Sequence, residues 1–182
     1  MDTPAAYTRT AISLHWLIAL LIFAAFPFGV YMSDLPLSPD KLKLYSYHKW
    51  IGITVLLLAA IRLSWRVTHR PPPLPATMPS WEKLAAQSVH LLLYALLFAI
   101  PLSGWLMSSA KGFQTVWFGV LPLPDLVGKD KELGKLLEEV HELLNFALLG
   151  LVVAHVAGAL KHHFVERDDI LARMLPFLRR KT

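Results

Sequence analysis

The 182-residue chain contains no cysteine. Disulfides, thiolate zinc sites, iron–sulfur clusters and covalent c-type haem attachment are therefore all excluded. Acidic residues are equally absent from its long apolar runs, Ala11–Met32, His48–Arg66, Leu84–Ala110 and Leu143–Leu160. A zinc site inside those runs would have only imidazoles to draw on, and the histidines lie in well-separated layers. What is present is apolar: 55% of residues are hydrophobic and the mean hydropathy is +0.47. Soluble domains sit nearer 45–50%. A net charge of +5 is no nucleic-acid signal, because much of it lies in a C-terminal tail that reads as a membrane flank.

The expected fold is all-α: an integral-membrane four-helix bundle in one transmembrane domain over residues 1–182. Its spans are expected at about 11–32, 48–66, 84–108 and 139–163. The first run reads as a span, since it has a weakly basic flank and no clear cleavage site. Pro27 with Gly29, and Pro101 with Gly104, should bend spans one and three. Ser33–Tyr47 reads as a short polar loop, and Arg70–Pro75 as an extended proline linker. The stretch from Gly112 to Pro124 is aromatic and apolar enough to lie on the membrane surface. Asp130–Glu142 reads as an amphipathic lead-in to span four.

Four spans place both termini on one side. With the termini inside, the inner side carries eleven Lys or Arg and the outer side seven. Eight of the thirteen acids also fall outside. The positive-inside rule then puts both termini in the cytoplasm.

Span four carries His141 near its start and His155 deep inside, fourteen residues apart. That is roughly 21 Å along a helix and about 40° around it. Ionisable groups at such depth are expensive and usually functional. The other spans supply partners: His48 at the level of His141, and His15 and His90 at the level of His155. A low-spin haem takes two axial nitrogens from facing helices, and a four-helix core can hold one. The outer layer offers one pairing, His48 with His141. The inner layer offers three, and spacing alone does not choose among them. A lone membrane histidine is often only a hydrogen-bonding group, but five sorted into two layers favour cofactor binding.

The motifs SLHW at Ser13–Trp16, YHKWIG at Tyr47–Gly52, the arginine- and tryptophan-bearing run from Arg62 to Pro73, and ALKHHFVERDDILARMLP from Ala159 to Pro176 resemble the bacterial cytochrome b561 family. That family is similar to the membrane cytochrome b subunits of nickel–iron hydrogenases and formate dehydrogenases. The resemblance covers nearly the whole chain and implies two haems b. It implies His15 with His155 as ligands of the inner haem iron and His48 with His141 as ligands of the outer one. His90 is left unligated.

An electron path across the inner (plasma) membrane of a bacterium then needs substrates at its ends. At the inner end, His162 falls on nearly the same helix face as His155, about 10 Å further along. It is the candidate proton donor to ubiquinone or another quinone. His90 is a second candidate there, either for quinone or for a haem propionate. Arg62, and with less support Arg66, would neutralise propionates. At the outer end, Lys49 beside His48 is a candidate for steering a small anion. The partners expected are the bilayer, a quinone, and a periplasmic redox protein or superoxide. The reading is a di-haem cytochrome passing electrons between quinone and an outer-face partner. Its alternatives are a superoxide:ubiquinone oxidoreductase and a non-catalytic electron-transfer or anchor subunit of a larger enzyme.

Overall fold

Three of the four long helices begin on a side-chain cap. Helix α1, Arg9–Ser33, starts where the Thr8 hydroxyl accepts the Ala11 amide at 3.2 Å. It runs through Pro27 without ending. Helix α2, Pro39–Thr68, opens on a Ser38 cap, with Pro39 in its first turn and Asp40 beside the positive helix end. The expected loop is thus largely helix, and His48 sits more than two turns inside α2 instead of opening it. The reason is local: Ser38-Pro39-Asp40 is a helix start, with a capping hydroxyl, a preset φ and an acid in the first turn. The chain from Pro71 to Pro75 has no regular structure, as missing N–H groups and fixed φ dictate.

Helix α3, Ser80–Ala110, also continues through its proline, Pro101. It stops at Lys111, and Gly112 follows at φ 76°, a left-handed position that costs glycine nothing. A small hairpin follows, with β1 at Val116–Trp117 paired antiparallel to β2 at Leu121–Pro122. Helix α4, Lys131–Lys161, is capped by Asp130, whose carboxylate accepts the Leu133 amide at 3.0 Å. The amphipathic lead-in and the apolar span are one continuous helix. A π-helical turn, His162–Glu166, ends at Arg167 with φ 57°. A short helix α5, Ile170–Met174, comes next. This computed structural model describes residues 6–178. Arg179, Arg180 and Lys181, counted above toward the inner side, lie outside the described residues.

The four long helices are each long and apolar enough to cross a bilayer. Their outward faces are bare hydrocarbon: Leu20, Phe23, Leu91, Leu143 and Val153 are all more than 60% exposed. In water such a surface would aggregate; in lipid it is solvated. The protein is a multi-pass, all-α membrane bundle. Close backbone packing joins α1 to α2, α2 to α3 and, most extensively, α3 to α4. Between α4 and the α1–α2 pair the backbones scarcely approach, and rings bridge the gap, as Phe26 does toward Phe146 at 6.2 Å. That open seam is where the histidines face one another.

Candidate functional site

The outer layer is built by four helices and two glycines. His48 on α2 and His141 on α4 face each other with ring centroids 6.3 Å apart and planes at 80°. A side-chain carbon added at Gly29 of α1 would lie 3.1 Å from His48 Cε1. One added at Gly104 of α3 would lie 3.1 Å from His141 Cε1. Each ring therefore rests on a glycine, and the two proposed bend points serve as cradles. On α3, the turn Ile100–Gly104 also fixes the ring of His141. Its Nδ1 lies 3.1 Å from the Ile100 carbonyl and 3.0 Å from Ser103 Oγ. Ser103 itself donates to Ile100 O at 2.8 Å. With that hydroxyl proton committed, Nδ1 carries the hydrogen of His141 and Nε2 keeps its lone pair. This is the carbonyl–imidazole arrangement that orients a metal ligand.

His48 Nδ1 is buried without a hydrogen-bond partner. Such a group costs about 1–3 kcal/mol unless something takes it up. Beside the two rings, a cavity of about 60 Å³ is lined by His48 and His141 and by Val55, Leu96 and Leu148 at mid-bundle.

The inner layer holds three imidazoles. His155 on α4 lies 6.1 Å from His15 on α1, at 63°, and 5.2 Å from His90 on α3, at 73°. Trp16 packs edge-on against His15 and donates to the Met174 carbonyl at 2.9 Å, tying α5 to α1. Arg62 on α2 donates from Nε to Tyr94 Oη at 3.1 Å and from Nη1 to the Ala11 carbonyl at 2.9 Å, one turn before His15. Those acceptors are neutral, so its charge is left for an anion.

These arrangements can be tested against haem iron. With an iron–nitrogen bond of about 2 Å and a ring centroid roughly 1.15 Å behind its nitrogen, opposed axial imidazoles have centroids about 6.3 Å apart. His48–His141 and His15–His155 match that separation; His90–His155 is about 1 Å too short. The fixed tautomer of His141 and the two glycine cradles fit the same group.

Two further sequence candidates are held by partners of their own. Lys49 does not reach into solvent. Its ammonium donates to Ser108 Oγ at 3.1 Å and to the carbonyls of Phe113 and Gln114 at 3.4 and 3.3 Å. It staples α2 to the end of α3, and Trp50 reinforces the join by donating to the Val116 carbonyl at 2.7 Å. His162 makes no contact with the inner trio among the described residues. Its Nδ1 lies 2.5 Å from Glu166 and 2.8 Å from Asp168. Glu82, His162 and Glu166 are close enough for a metal. Lys161 already holds both glutamates, at 2.6 and 2.7 Å, where a cation would sit. His163 packs edge-on against Phe164. Gly29, Gly104, Ser103 and the Ile100 carbonyl were missed as site residues. Glycine at the level of a ligand histidine, on a neighbouring span, was the available signal.

Four lipid-facing helices around two layers of facing imidazoles define a membrane cytochrome of the b type. The chain belongs to the prokaryotic cytochrome b561 family, whose profile matches residues 6–177. It is 38% identical over 176 residues to cytochrome b561 homolog 2 of Escherichia coli, covering 96% of this chain and 93% of that one. It is 29% identical over 171 residues to the probable superoxide oxidase CybB of Yersinia pestis, covering 93% and 96%. A third relative, cytochrome b562 of Cereibacter sphaeroides, is 29% identical over 181 residues, covering 96% and 98%. The protein is thus a membrane electron-transfer protein of that family, and membership implies haem b as its cofactor.

Proposed function

We propose that the protein holds two haems b, one in each histidine layer, and carries electrons across the bacterial inner membrane between a quinone and a periplasmic redox partner. The observation that carries this is the pair of imidazole separations, 6.3 and 6.1 Å, in two layers of one bundle. His48 and His141 would hold the outer haem, and His15 and His155 the inner one. When bound, the two groups supply reversible one-electron chemistry. Ile100 and Ser103 hold the proton on His141 Nδ1 and so keep Nε2 available. Arg62, anchored at Ala11 and Tyr94, offers its remaining donors to the inner propionates. His90 stands too close to His155 to share an iron with it, and serves as a polar neighbour of the inner group. The excess of basic residues at the inner ends supports cytoplasmic termini.

Reducing one quinone to the quinol consumes two electrons and two protons. Hydrocarbon supplies no protons, so side chains must bring them. His162 is suited to this because Glu166 and Asp168 both contact Nδ1, leaving Nε2 to face a substrate. Protons would pass from the cytoplasm through those carboxylates to the imidazole. At the outer face, the similarity to a probable superoxide oxidase supports superoxide as an alternative electron donor. The test is a spectroscopic redox titration. Two haem components are expected, with one lost in His48→Ala and the other in His15→Ala. A single component, or one removed by both substitutions, would contradict the layered arrangement. Haem reduction by superoxide without any added protein would favour the oxidase reading.

A further inference from the structure

A second cavity, of about 280 Å³, opens at the inner end of the bundle between the start of α1 and the end of α2. Arg62, Arg66 and Arg70 all line it; Arg62 and Arg66 are one turn apart on α2, about 40° from each other around its axis, and Arg70 follows just past the helix end. No Asp or Glu lines it among the described residues. Among the described residues none of the three arginines forms an ion pair. Arg62 is bound to neutral acceptors, and Arg66 lies over the Tyr94 ring at 5.9 Å. Three guanidinium charges thus converge on one hollow without a counter-charge, and mutual repulsion makes that arrangement unfavourable unless an anion joins it.

The walls specify what kind of anion. Trp65, with His69 stacked on it at 3.9 Å, and Tyr94 form an aromatic rim at the membrane surface. The rest of the lining is mostly apolar. On the same helix, Ile61 and Val67 are 52% and 77% exposed, continuing the lipid-facing surface to the cavity edge. Arg70 lies just past the end of α2, at headgroup level.

We propose that this cavity binds the phosphodiester of an anionic glycerophospholipid, with Arg66 and Arg70 on the phosphate, Trp65 and Tyr94 against the glycerol, and the acyl chains along α2. The site requires the membrane placement of the helices but not the haem assignment, since Arg62 alone is committed to the cofactor.

The test is native mass spectrometry of the purified, haem-loaded protein titrated with phosphatidylglycerol, phosphatidylcholine or inorganic phosphate. Phosphatidylglycerol should bind at one preferred site. Arg66→Gln/Arg70→Gln should weaken that binding roughly 10- to 30-fold, from about 1 kcal/mol per arginine near a membrane surface, with both haems retained. Lys131→Gln/Lys135→Gln, which removes equal charge at the opposite end, should leave it unchanged. Because Arg70 is exposed beyond the helix, Arg70→Gln alone tests the site should the double variant fold poorly, and a several-fold loss is expected. Undiminished phosphatidylglycerol binding in either arginine variant would overturn the proposal. So would displacement of the lipid by millimolar phosphate, which would show a small-anion site, or loss of a haem from Arg66→Gln/Arg70→Gln, which would assign those arginines to the cofactor.

Discussion

Replacing Gly104 by alanine adds one methyl group where the outer ligand rests. The new carbon would stand 3.1 Å from His141 Cε1 and 3.4 Å from Nδ1. Ordinary contact begins near the second value, so the ring must retreat by roughly 0.3 Å or the α3–α4 seam must open. Retreat is resisted, because Nδ1 is held at 3.0 and 3.1 Å by Ser103 and Ile100, both on the turn that carries Gly104. Overpacking of this kind costs about 1–3 kcal/mol. If that cost falls on cofactor binding, the outer haem should be held roughly 5- to 150-fold less tightly. The inner haem, one layer away, should be unaffected. The assay is haem retention on dilution into apomyoglobin, followed separately at the two haem bands. Gly158→Ala is the control, since nothing lies within 4 Å of its added carbon. Equal loss of both haems, or unchanged retention of the outer one, would refute the cradle.

Further outcomes follow from the same geometry. His15→Ala and His155→Ala should each remove one haem, while His90→Ala keeps both; loss from His90→Ala with retention in His15→Ala would invert the inner pairing. Lys49→Met should lower stability by about 1–3 kcal/mol through lost bonds to three oxygens, read by thermal unfolding in detergent. The salt dependence of superoxide-driven haem reduction should not change, as it would if the ammonium steered an anion. His162→Ala should keep both haem spectra but slow haem oxidation by a short-chain quinone about 10-fold or more, with His163→Ala doing less. Unchanged stopped-flow rates in His162→Ala would move the quinone site elsewhere.

The four helices were legible because long charge-free runs have no other stable home. The layering of His48 with His141, and of His15 and His90 with His155, followed from helical rise alone. The start of α2 was also written in the sequence, in Ser38, Pro39 and Asp40, but the turn-forming character of Pro36 and Pro39 masked it. The fate of Lys49 was not legible, because its acceptors lie 59 to 65 residues away. Nor was the π-helical turn that draws His162 onto Glu166 and Asp168, which depends on a left-handed Arg167. Gly29 and Gly104 were visible as residues but read as hinges. Their cradle role needs the neighbouring helix, which no single segment contains. The inner pairing shows the same limit from another side: three histidines at one level differ only in how far apart the fold sets them.

The most direct measurement is the haem content of the purified, fully loaded protein, by pyridine haemochrome against quantitative amino-acid analysis. Two haems per chain are expected, both extracted by acidified organic solvent because no cysteine holds them. One haem per chain, or none, would contradict the two-layer arrangement of ligands.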